Sequence, residues 1–226
     1  MSRTAVLEVI AEPSRLRILQ ELMSPASVSE LSSRTRLRQA NLSNHLARLR
    51  AIGLVARRRH GRVAEYRLAS LTVAHLVESV STLIGPPKAA VRADLAEART
   101  CYDHLAGRFG VALFDHLLEH NAIADSRRAD GALELGPDAS AVFRRLGVDL
   151  QGLRPSQRRL AYRCVDWTER RPHLGGLLGA LLTDQFFASG YVRRRKGSRG
   201  LRVEPRAWHI LAARPVERSR AKRVRS

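Results

Sequence analysis

The chain has 226 residues, which allows one large domain or two small ones, and its hydrophobic content of 44% is enough for well-formed cores. Aromatic residues make up only 5%, so the cores should consist mostly of Leu, Ala and Val in helices. A formal net charge of +19 predicts a polyanionic partner, either nucleic acid or an anionic membrane surface. The longest apolar run, Leu174 to Leu182, is far shorter than the roughly 18 residues of a membrane-spanning helix.

The first residues, MSRTAVLEVIAEPS, lack the long apolar segment of a secretory signal. We therefore expect a cytoplasmic protein in which Cys101 and Cys164 are reduced thiols and not a structural disulfide. The sequence contains no nucleophile elbow, no phosphate-cradling glycine loop and no paired-acid motif, so it does not indicate an enzyme.

The chain opens with two short predicted helices. The first spans roughly Arg3 to Ile10, and Pro13 opens the second at its first turn. In the second helix Leu16, Leu19 and Leu22 lie three residues apart, which places one face against a core.

A helix-turn-helix pattern follows. Its first helix should run from Val28 to Arg34, with Ser27 as N-cap and Glu30 as capping-box partner. Its second helix should run from about Gln39 to Ile52 and stop at Gly53, before two short strands around a His60-Gly61 turn.

The second helix of this pattern has two chemically different faces. One is an apolar stripe formed by Leu42, Leu46 and Leu49. The other carries hydrogen-bonding and cationic groups suited to base edges and phosphates, and the strands add further cations. The polar face holds Gln39, Asn41, Asn44, His45 and Arg48, and the hairpin holds Arg57, Arg58, Arg59 and Arg62.

The span from Ala11 to Ser70 resembles the ArsR family of winged helix-turn-helix transcriptional regulators. The most specific pieces are the Glu12-Pro13-x-Arg15-x-x-Ile18-Leu19 and Leu42-Ser43-x-His45-Leu46-x-x-Leu49 motifs. The resemblance implies a homodimer on double-stranded DNA, with recognition helices in adjacent major grooves and wings on the flanking backbone or minor groove. It also implies that the reading residues are Gln39, Asn41, Ser43, Asn44 and His45, and that the wing contacts are Arg57 to Arg62.

Two departures from the family matter. Arg38 stands where the family often has a capping Ser, which loses a cap worth about 0.5–2 kcal/mol but adds a cation near DNA. The family's metal sensors carry paired cysteines where this chain has Glu30-Leu31-Ser32-Ser33. The helix after the wing, Ser70 to Leu83, offers only His75 and Glu78, too few for a four-ligand metal site. Control should therefore come from beyond the motif.

Gly85-Pro86-Pro87 is predicted to end the first domain. We expect a winged helix-turn-helix domain over residues 1–85, a dimerisation and effector domain over 86–213, and a disordered basic tail over 214–226 that adds sequence-independent DNA affinity.

The second half should be mainly helical. A basic hairpin after Ser189 aligns with the first wing, so the region from Cys101 to about Ala213 is either a degenerate winged-helix-like domain or simply a helix followed by a hairpin. The helix before this hairpin is apolar nearly all round and should be buried. The predicted helices run from Ala89 to Leu105, after Gly110, from Pro137 to Leu146, from Ser156 to Trp167 and from Leu174 to Ser189, with a short strand at Leu133 to Leu135.

Five residues in this half could form a metal site. Cys101 and His104 are i and i+3 on the predicted helix and would share a face. Cys164 and Asp166, with His173 close behind, could complete a tetrahedral site for a transition metal such as zinc.

Other interpretations of the same residues remain open. The thiols could line an organic or redox effector pocket beside Tyr102 and Trp167, or both could be small buried hydrophobes in a helical core. His116 and His120, at i and i+4, form a further but weaker candidate metal pair, because such a face is more often exposed polar surface.

The sequence thus predicts a mainly α protein with small β-wings. Its predicted function is that of a dimeric, sequence-specific repressor, released from DNA when a small-molecule or metal effector binds the C-terminal domain. The alternative is a non-specific nucleic-acid-binding or architectural protein that relies on charge alone.

Overall fold

The fold comes from a computed structural model that describes residues 3–60, 63–85, 92–126, 132–153, 158–196 and 198–212. Within these ranges, every helix is either too short or too polar to span a bilayer. Several sequence predictions fall wholly or partly outside them, namely Gly61 of the wing turn, the Arg62 wing contact, the Pro86-Pro87 break, the start of the helix predicted from Ala89, the Ser156 cap and the basic tail at 214–226.

The N-terminal half has the predicted helix-turn-helix and wing. Its helices are α1 (Arg3–Ala11), α2 (Pro13–Glu21), α3 (Val28–Thr35), α4 (Gln39–Ala51) and α5 (Leu71–Ile84), and its strands are β1 (Ala26–Ser27), β2 (Val55–His60) and β3 (Val63–Leu68). The strands form a sheet in the order β1-β3-β2, in which Val55 lies opposite Leu68 and His60 opposite Val63.

Local signals in the sequence set the limits of α3 and α4. The capping box is present, because the Ser27 hydroxyl accepts the Glu30 N–H at 3.3 Å while the Glu30 carboxylate accepts the Ser27 N–H at 2.8 Å. Arg36, at φ 59°, ends α3 in the left-handed conformation. At the start of α4, Arg38 makes no side-chain cap hydrogen bond. The stripe formed by Leu42, Leu46 and Leu49 is buried in the N-terminal core, as predicted.

The C-terminal half contains more strand than predicted. Its elements are α6 (Ala93–Glu97), β4 (Arg99–Cys101), β5 (His104–Ala106), α7 (Gly107–Glu119), β6 (Ile123–Asp125), β7 (Ala132–Leu135), α8 (Ala139–Arg145), β8 (Ala161–Val165), β9 (Pro172–Gly175), α9 (Leu177–Ala188), β10 (Val192–Arg194), β11 (Leu201–Val203) and α10 (Pro205–Ala212). The strands form two hairpins, β4-β5 and β10-β11, and an antiparallel sheet in the order β6-β7-β8-β9.

The predicted helix from Ala89 to Leu105 is wrong. Among its described residues only Ala93–Glu97 is helical, and Ala98 is extended and leads into the β4-β5 hairpin. The reason is burial: Arg99, Thr100 and Cys101 are all buried, so this segment has no solvent face for an amphipathic helix. Cys101 and His104 are therefore cross-strand partners and do not share a helix face.

The predicted helix ending at Trp167 is also wrong, because Ala161–Val165 is strand β8. In this strand Tyr162 and Cys164 are buried, whereas Arg163 and Val165 between and beyond them are more exposed, which is the two-residue period of a strand. Likewise Leu174 belongs to strand β9, and the helix that follows begins only at Leu177.

The C-terminal half consists of two similar units. Each is a hairpin, a helix, a second pair of strands and a second helix: β4-β5-α7-β6-β7-α8 and then β8-β9-α9-β10-β11-α10. The sequence carries the same repeat, since His-Leu-x-Gly-x-x-Gly occurs at His104–Gly110 and again at His173–Gly179. The helix, Gly stop and two strands predicted around the second basic hairpin are present as α9, Gly190, β10 and β11, and α10 follows them.

The two units share one hydrophobic core, which is separate from the N-terminal core. It buries Phe109 and Phe114 of α7 together with Leu178 and Phe186 of α9. The nearly apolar helix α9 is indeed buried, with Leu178, Leu182 and Phe186 each at 0% exposure. Shared packing of this kind fixes the first hairpin of each unit relative to the other.

Candidate functional site

The exposed face of α4 carries the predicted base-reading side chains. Gln39, Asn41, Ser43, Asn44 and Arg48 are exposed, whereas His45 is half-buried. They lie opposite the buried Leu stripe, so α4 is held by its apolar face and presents donors and acceptors on the other. Arg38 is exposed at the start of the helix.

Glu12, the first residue of the Glu12-Pro13-x-Arg15 motif, shapes this face. The Glu12 carboxylate accepts the backbone N–H groups of Ser14 and Arg15 at 2.9 Å and lies 3.6 Å from Nδ1 of His45. Burial alone would raise the pKa of Glu12, but these hydrogen bonds lower it. Glu12 therefore caps α2 as a carboxylate and restrains the His45 ring. A cavity beside this ring is lined by Arg15, Asn41, Asn44, His45, Ala47 and Arg48.

The wing supplies cations next to α4. Arg57, Arg58 and Arg59 on β2 are all exposed. The strand pairing places Arg58 opposite Glu65 and Arg57 opposite Tyr66. The wing thus combines a paired backbone with guanidinium groups that are accessible to phosphate.

Four of the five predicted metal-site residues come together in the C-terminal half. One donor atom from each of Cys101, His104, Cys164 and His173 lies within 4.8 Å of all the others, and all four residues are buried. We call these four residues the Cys–His cluster. Cys101 lies directly opposite His104 in the β4-β5 hairpin, and Cys164 lies directly opposite His173 across β8 and β9.

The ring nitrogens of the two histidines are only partly occupied. Nδ1 of His104 lies 3.1 Å from the Asp103 carboxylate, whereas its buried Nε2 has no hydrogen-bond partner. Neither ring nitrogen of His173 has a hydrogen-bond partner, although both are buried. Buried polar atoms of this kind are costly unless something satisfies them.

The fifth predicted residue, Asp166, lies behind the cluster. Its two oxygens accept hydrogen bonds from the Gly107 N–H at 2.6 Å, from the Thr168 N–H at 2.8 Å and from Arg99 Nη2 at 3.0 Å. Oδ2 lies 3.5 Å from Nδ1 of His173. Asp166 thus accepts hydrogen bonds from several neighbours and orients them. Its lone pairs are largely occupied by these bonds.

The pKa values in the cluster are shifted by burial and by contacts among its members. The hydrogen bond with Cys164, together with burial, raises the pKa of the Cys101 thiol well above its usual value. Burial, together with the neighbouring His104, lowers the pKa of His173 well below its usual value. The Cys101 thiol and an unprotonated His173 imidazole therefore lie in the same buried site. Burial lowers the pKa of His104, but its contacts with Cys101 and Asp103 outweigh this and raise it to about 9.

The other predicted candidates have different surroundings. Trp167 is buried against the Arg99 guanidinium, which lies 5.0 Å from its ring, and Tyr102 packs on the N-terminal core. His116 and His120 stack with ring centroids 4.0 Å apart. Nδ1 of His116 donates to the Leu211 carbonyl at 2.9 Å, and Nδ1 of His120 donates to the His116 carbonyl at 2.9 Å.

Helix α5 of the N-terminal half touches the surroundings of the Cys–His cluster at two points. Nε2 of His75 lies 2.5 Å from the Tyr162 hydroxyl. Glu78 lies 3.6 Å from Nη2 of Arg99, which also binds Asp166. His75 and Glu78 are too few to form a metal site by themselves, and nothing in the sequence marks Arg99, a residue with no exposed surface. A lone arginine in the sequence gives no sign that it will be buried.

Comparisons with known proteins extend over both halves. A family model described as a helix-turn-helix domain matches residues 10–58. The uncharacterized HTH-type transcriptional regulator YdfF of Bacillus subtilis (strain 168) is 31% identical over 210 residues, which cover 88% of this chain and 90% of YdfF. The transcriptional activator HlyU of Vibrio cholerae is 42% identical over 79 residues, which cover 34% of this chain and 73% of HlyU.

Among solved structures, reduced HlyU from Vibrio cholerae N16961 aligns at 38% identity over 35% of this chain and 85% of that chain, with a TM-score of 0.33. The crystal structure of Rv0081 from Mycobacterium tuberculosis aligns at 34% identity over 36% of this chain and 84% of that chain, with a TM-score of 0.35. The similarity to YdfF therefore reaches well beyond the helix-turn-helix, into the half that contains the Cys–His cluster.

Proposed function

Because the chain belongs to the ArsR family of winged helix-turn-helix transcriptional regulators, we propose that it is a dimeric, sequence-specific repressor that leaves its operator when an effector binds the C-terminal half. Membership of the family makes it a DNA-binding transcriptional regulator. We further propose that the protein acts as a repressor, forms a dimer, is released by an effector and lies in the cytoplasm.

The observation that carries the proposal is the exposed face of α4. Asn41 and Asn44 can each form paired hydrogen bonds with adenine, and Arg48 can do so with guanine, at major-groove edges. The arginines of β2 would bind phosphates beside the groove and fix the register of the helix. A purely electrostatic binder would not need an amide-rich face fixed by a buried Leu stripe.

The same proposal assigns DNA binding to the N-terminal half and control of DNA binding to the C-terminal half. One hydrophobic core runs from Ile10 to Val77 and another from Ala98 to Ala207. We infer a DNA-binding domain over residues 1–85 and a control domain over 86–213, because each of these spans contains a core of its own.

The proposed dimer would use helices α1 and α5. Leu7 on α1 is 67% exposed, and Leu83 and Ile84 at the end of α5 are 86% and 64% exposed. Large apolar side chains at such exposure favour burial against a second copy. The double variant Leu83→Glu/Ile84→Glu should sediment as a monomer, whereas Leu135→Glu, at a surface position of the C-terminal half, should not change the mass. Sedimentation of the wild type as a monomer at DNA-binding concentrations would contradict the dimer.

The test of DNA reading is a footprint on the DNA upstream of the protein's own gene at moderate salt. We expect one protected palindrome. Asn41→Ala or Asn44→Ala should each weaken binding to it by about 5- to 150-fold, the equivalent of 1–3 kcal/mol per base contact, and change binding to random DNA little. The matched control is Arg58→Ala, which should weaken binding to the palindrome and to random DNA alike. It should also reduce the salt dependence of binding by the amount expected for about one phosphate contact. Equal affinity of the wild type for random DNA would favour a non-specific architectural protein instead.

A further inference from the structure

We propose that the Cys–His cluster binds one divalent transition-metal ion of the zinc type in tetrahedral coordination. This proposal does not depend on how the protein acts on DNA. It concerns four side chains of the C-terminal half. None of them belongs to the helix-turn-helix or to the helix after the wing, where the family's metal sensors carry their ligands.

The donor set is the first argument. Two sulfur and two nitrogen donors from Cys and His are the usual ligands of a closed zinc site. A tetrahedral ion with bonds of about 2.3 Å to sulfur and 2.0–2.1 Å to nitrogen separates its ligand atoms by roughly 3.3–3.8 Å. The donor atoms of the cluster already lie within 4.8 Å of one another. Side-chain shifts of roughly 1 Å would therefore close the four donors around one ion.

The histidines are oriented as metal ligands usually are. Nδ1 of His104 faces the Asp103 carboxylate, which is itself bound by Arg158 at 2.6 Å, and this leaves Nε2 for the ion. The Asp166 carboxylate lies 3.5 Å from Nδ1 of His173, which leaves Nε2 of that ring for the ion. A carboxylate behind each imidazole fixes the ring and makes its other nitrogen a better ligand. A bound ion would also satisfy the unpartnered nitrogens of His104 and His173.

Charge and burial are consistent with an ion at this position. Two thiolates and two neutral imidazoles around a doubly charged ion form a core without net charge, which can be buried at little cost. Cys101, at 2% exposure, and Cys164, at 7%, lie deep enough to exclude water from the coordination sphere. A cavity between α5 and β8 reaches Cys164 and provides a route for the ion to enter.

The duplication of the C-terminal half explains how the site arises. Each unit contributes one cysteine from the first strand of its hairpin and one histidine from the second. Residues directly opposite each other in an antiparallel pair point to the same face, so each hairpin presents two ligands on one face. The helices bring the two hairpins together, because Gly179 of α9 lies against His104 and Gly110 of α7 lies against His173. The ion would therefore join the two units.

The experiment uses the full-length protein. It is first stripped with a chelator under reducing conditions and then titrated with Co²⁺, which reports its coordination by absorption. We expect saturation at one Co²⁺ per chain, with the intense visible bands of a four-coordinate ion and a near-ultraviolet thiolate charge-transfer band, and Zn²⁺ should displace it. Metal analysis of protein grown with zinc should likewise give about one ion per chain.

Two variants separate a metal site from a folding effect. The double variant Cys101→Ser/Cys164→Ser should lose the charge-transfer band and bind at least about 100-fold more weakly. His104→Cys should still bind one ion and should raise the charge-transfer intensity about 1.5-fold, as a third thiolate replaces an imidazole. The matched control is His209→Gln, which removes an exposed imidazole from α10 and should leave the titration unchanged.

Three results would overturn the proposal. One is a wild type that takes up no more Co²⁺ than the double cysteine variant. The second is a bound ion without a thiolate band. The third is a Cys101–Cys164 disulfide, found by mass spectrometry in protein isolated without metal and persisting in mild reductant, since the cluster would then be a redox pair.

Discussion

At the scale of single residues, Arg99 is the most consequential side chain that the sequence does not reveal. It has no exposed surface, and its guanidinium donates to the Leu95 carbonyl at 3.1 Å and to the Asp166 carboxylate at 3.0 Å. It also lies 3.6 Å from Glu78, which is 4% exposed. This buried cation therefore lies between two buried acids from different halves of the chain, and a second buried arginine, Arg199, also attracts Glu78.

Replacing this cation should be costly. We expect Arg99→Met to lower the free energy of unfolding by about 3–5 kcal/mol, because it leaves Asp166 buried without its paired cation and removes one of the two charges that attract Glu78. The matched control is Arg171→Met, which breaks an exposed pair with Asp115 at 2.9 Å and should cost at most about 1 kcal/mol. Urea denaturation of both variants at neutral pH checks this, and equal losses would contradict it.

His116 should make stability depend on pH. Its burial, together with the nearby His120, lowers the pKa of His116 to about 4, although a hydrogen bond to Leu211 opposes this. Because an unfolded histidine has a pKa near 6.5, the unfolded state binds the extra proton first, and stability is lost as pH falls from about 6.5 towards 4. Between pH 7 and pH 5 this group should remove about 2 kcal/mol.

The variant His116→Gln tests this assignment, because its amide can still donate to the Leu211 carbonyl but does not titrate. Urea denaturation of wild type and variant across this pH range should give curves that differ in slope below pH 6.5. Parallel curves would show that His116 is not the group responsible. His209→Gln, at an exposed position, should leave the slope unchanged.

At the scale of elements, the two helices that hold the Cys–His cluster in register begin in the same way. Gly107 at the start of α7 has φ +77°, and Gly176 before α9 has φ +93°. A Cβ at these positions would lie 2.9 Å from the Ala96 carbonyl oxygen and 2.8 Å from that of Arg159. Each helix thus follows its strand through a tight corner that only glycine permits without strain.

Alanine at either corner should therefore destabilise the C-terminal half. We expect Gly107→Ala and Gly176→Ala each to lower the free energy of unfolding by roughly 1–3 kcal/mol, from the left-handed backbone and the clash with a backbone oxygen. Gly152→Ala is the control, since a Cβ there meets nothing within 4 Å, and it should stay within about 0.5 kcal/mol. Thermal denaturation that ranked Gly152→Ala beside the other two would refute this account.

The two halves differ in how far their structure can be predicted from the sequence. The N-terminal half is predictable because each signal is local: the Ser27 capping box, the Leu stripe of α4 and the Gly53 stop. The β4-β5 hairpin is not, because its turn contains Tyr102 at φ 61° and no Gly or Asn, while the Ala and Leu before it favour a helix. There, packing against the second unit overrides local propensity.

The same contrast applies to the Cys–His cluster. Residue types alone pointed to its four members, but the supposed helix face was wrong, and Asp166 lies behind the donors as a hydrogen-bonding hub. The missed signal was the repeated His-Leu-x-Gly-x-x-Gly sequence at His104 and His173. In both copies the first glycine follows a strand and the second lies in the next helix close to a strand backbone, so one repeat predicts the same local structure for both histidines.

At the scale of the whole molecule, α5 contacts both halves. It packs in the N-terminal core through Ala74 and Val77, and it reaches the C-terminal half through His75 and Glu78. From Glu78 the contacts continue through Arg99 and Asp166 to a histidine of the Cys–His cluster. A second contact joins Arg194 of the second hairpin to Ser24 at 2.9 Å. A shift of the cluster would therefore move charged partners of the helix that supports the DNA-binding half.

This arrangement predicts thermodynamic coupling between metal and DNA, if both proposals hold. Closing four ligands on an ion shifts His173 against Asp166, and the effect passes through Arg99 to Glu78. We expect metal loading to weaken operator binding by about 5- to 150-fold, which is the range of 1–3 kcal/mol for coupled sites. By reciprocity, operator DNA must weaken metal binding by the same factor. Fluorescence anisotropy with apo and loaded protein, and metal titration with and without DNA, measure the two factors independently.

The variant Glu78→Gln identifies the route of this coupling. It keeps the size of the side chain but removes the charge that attracts Arg99, so it should leave metal stoichiometry unchanged and reduce both coupling factors together. Arg171→Met, an exposed change in the same half, should leave both factors unchanged. If apo and loaded wild type bind the operator equally, the ion only joins the two units of the C-terminal half and the effector acts elsewhere. The factor by which metal weakens DNA binding and the factor by which DNA weakens metal binding could also differ. That result would indicate that metal changes dimerisation as well, because the two factors are equal unless a third equilibrium is linked to them.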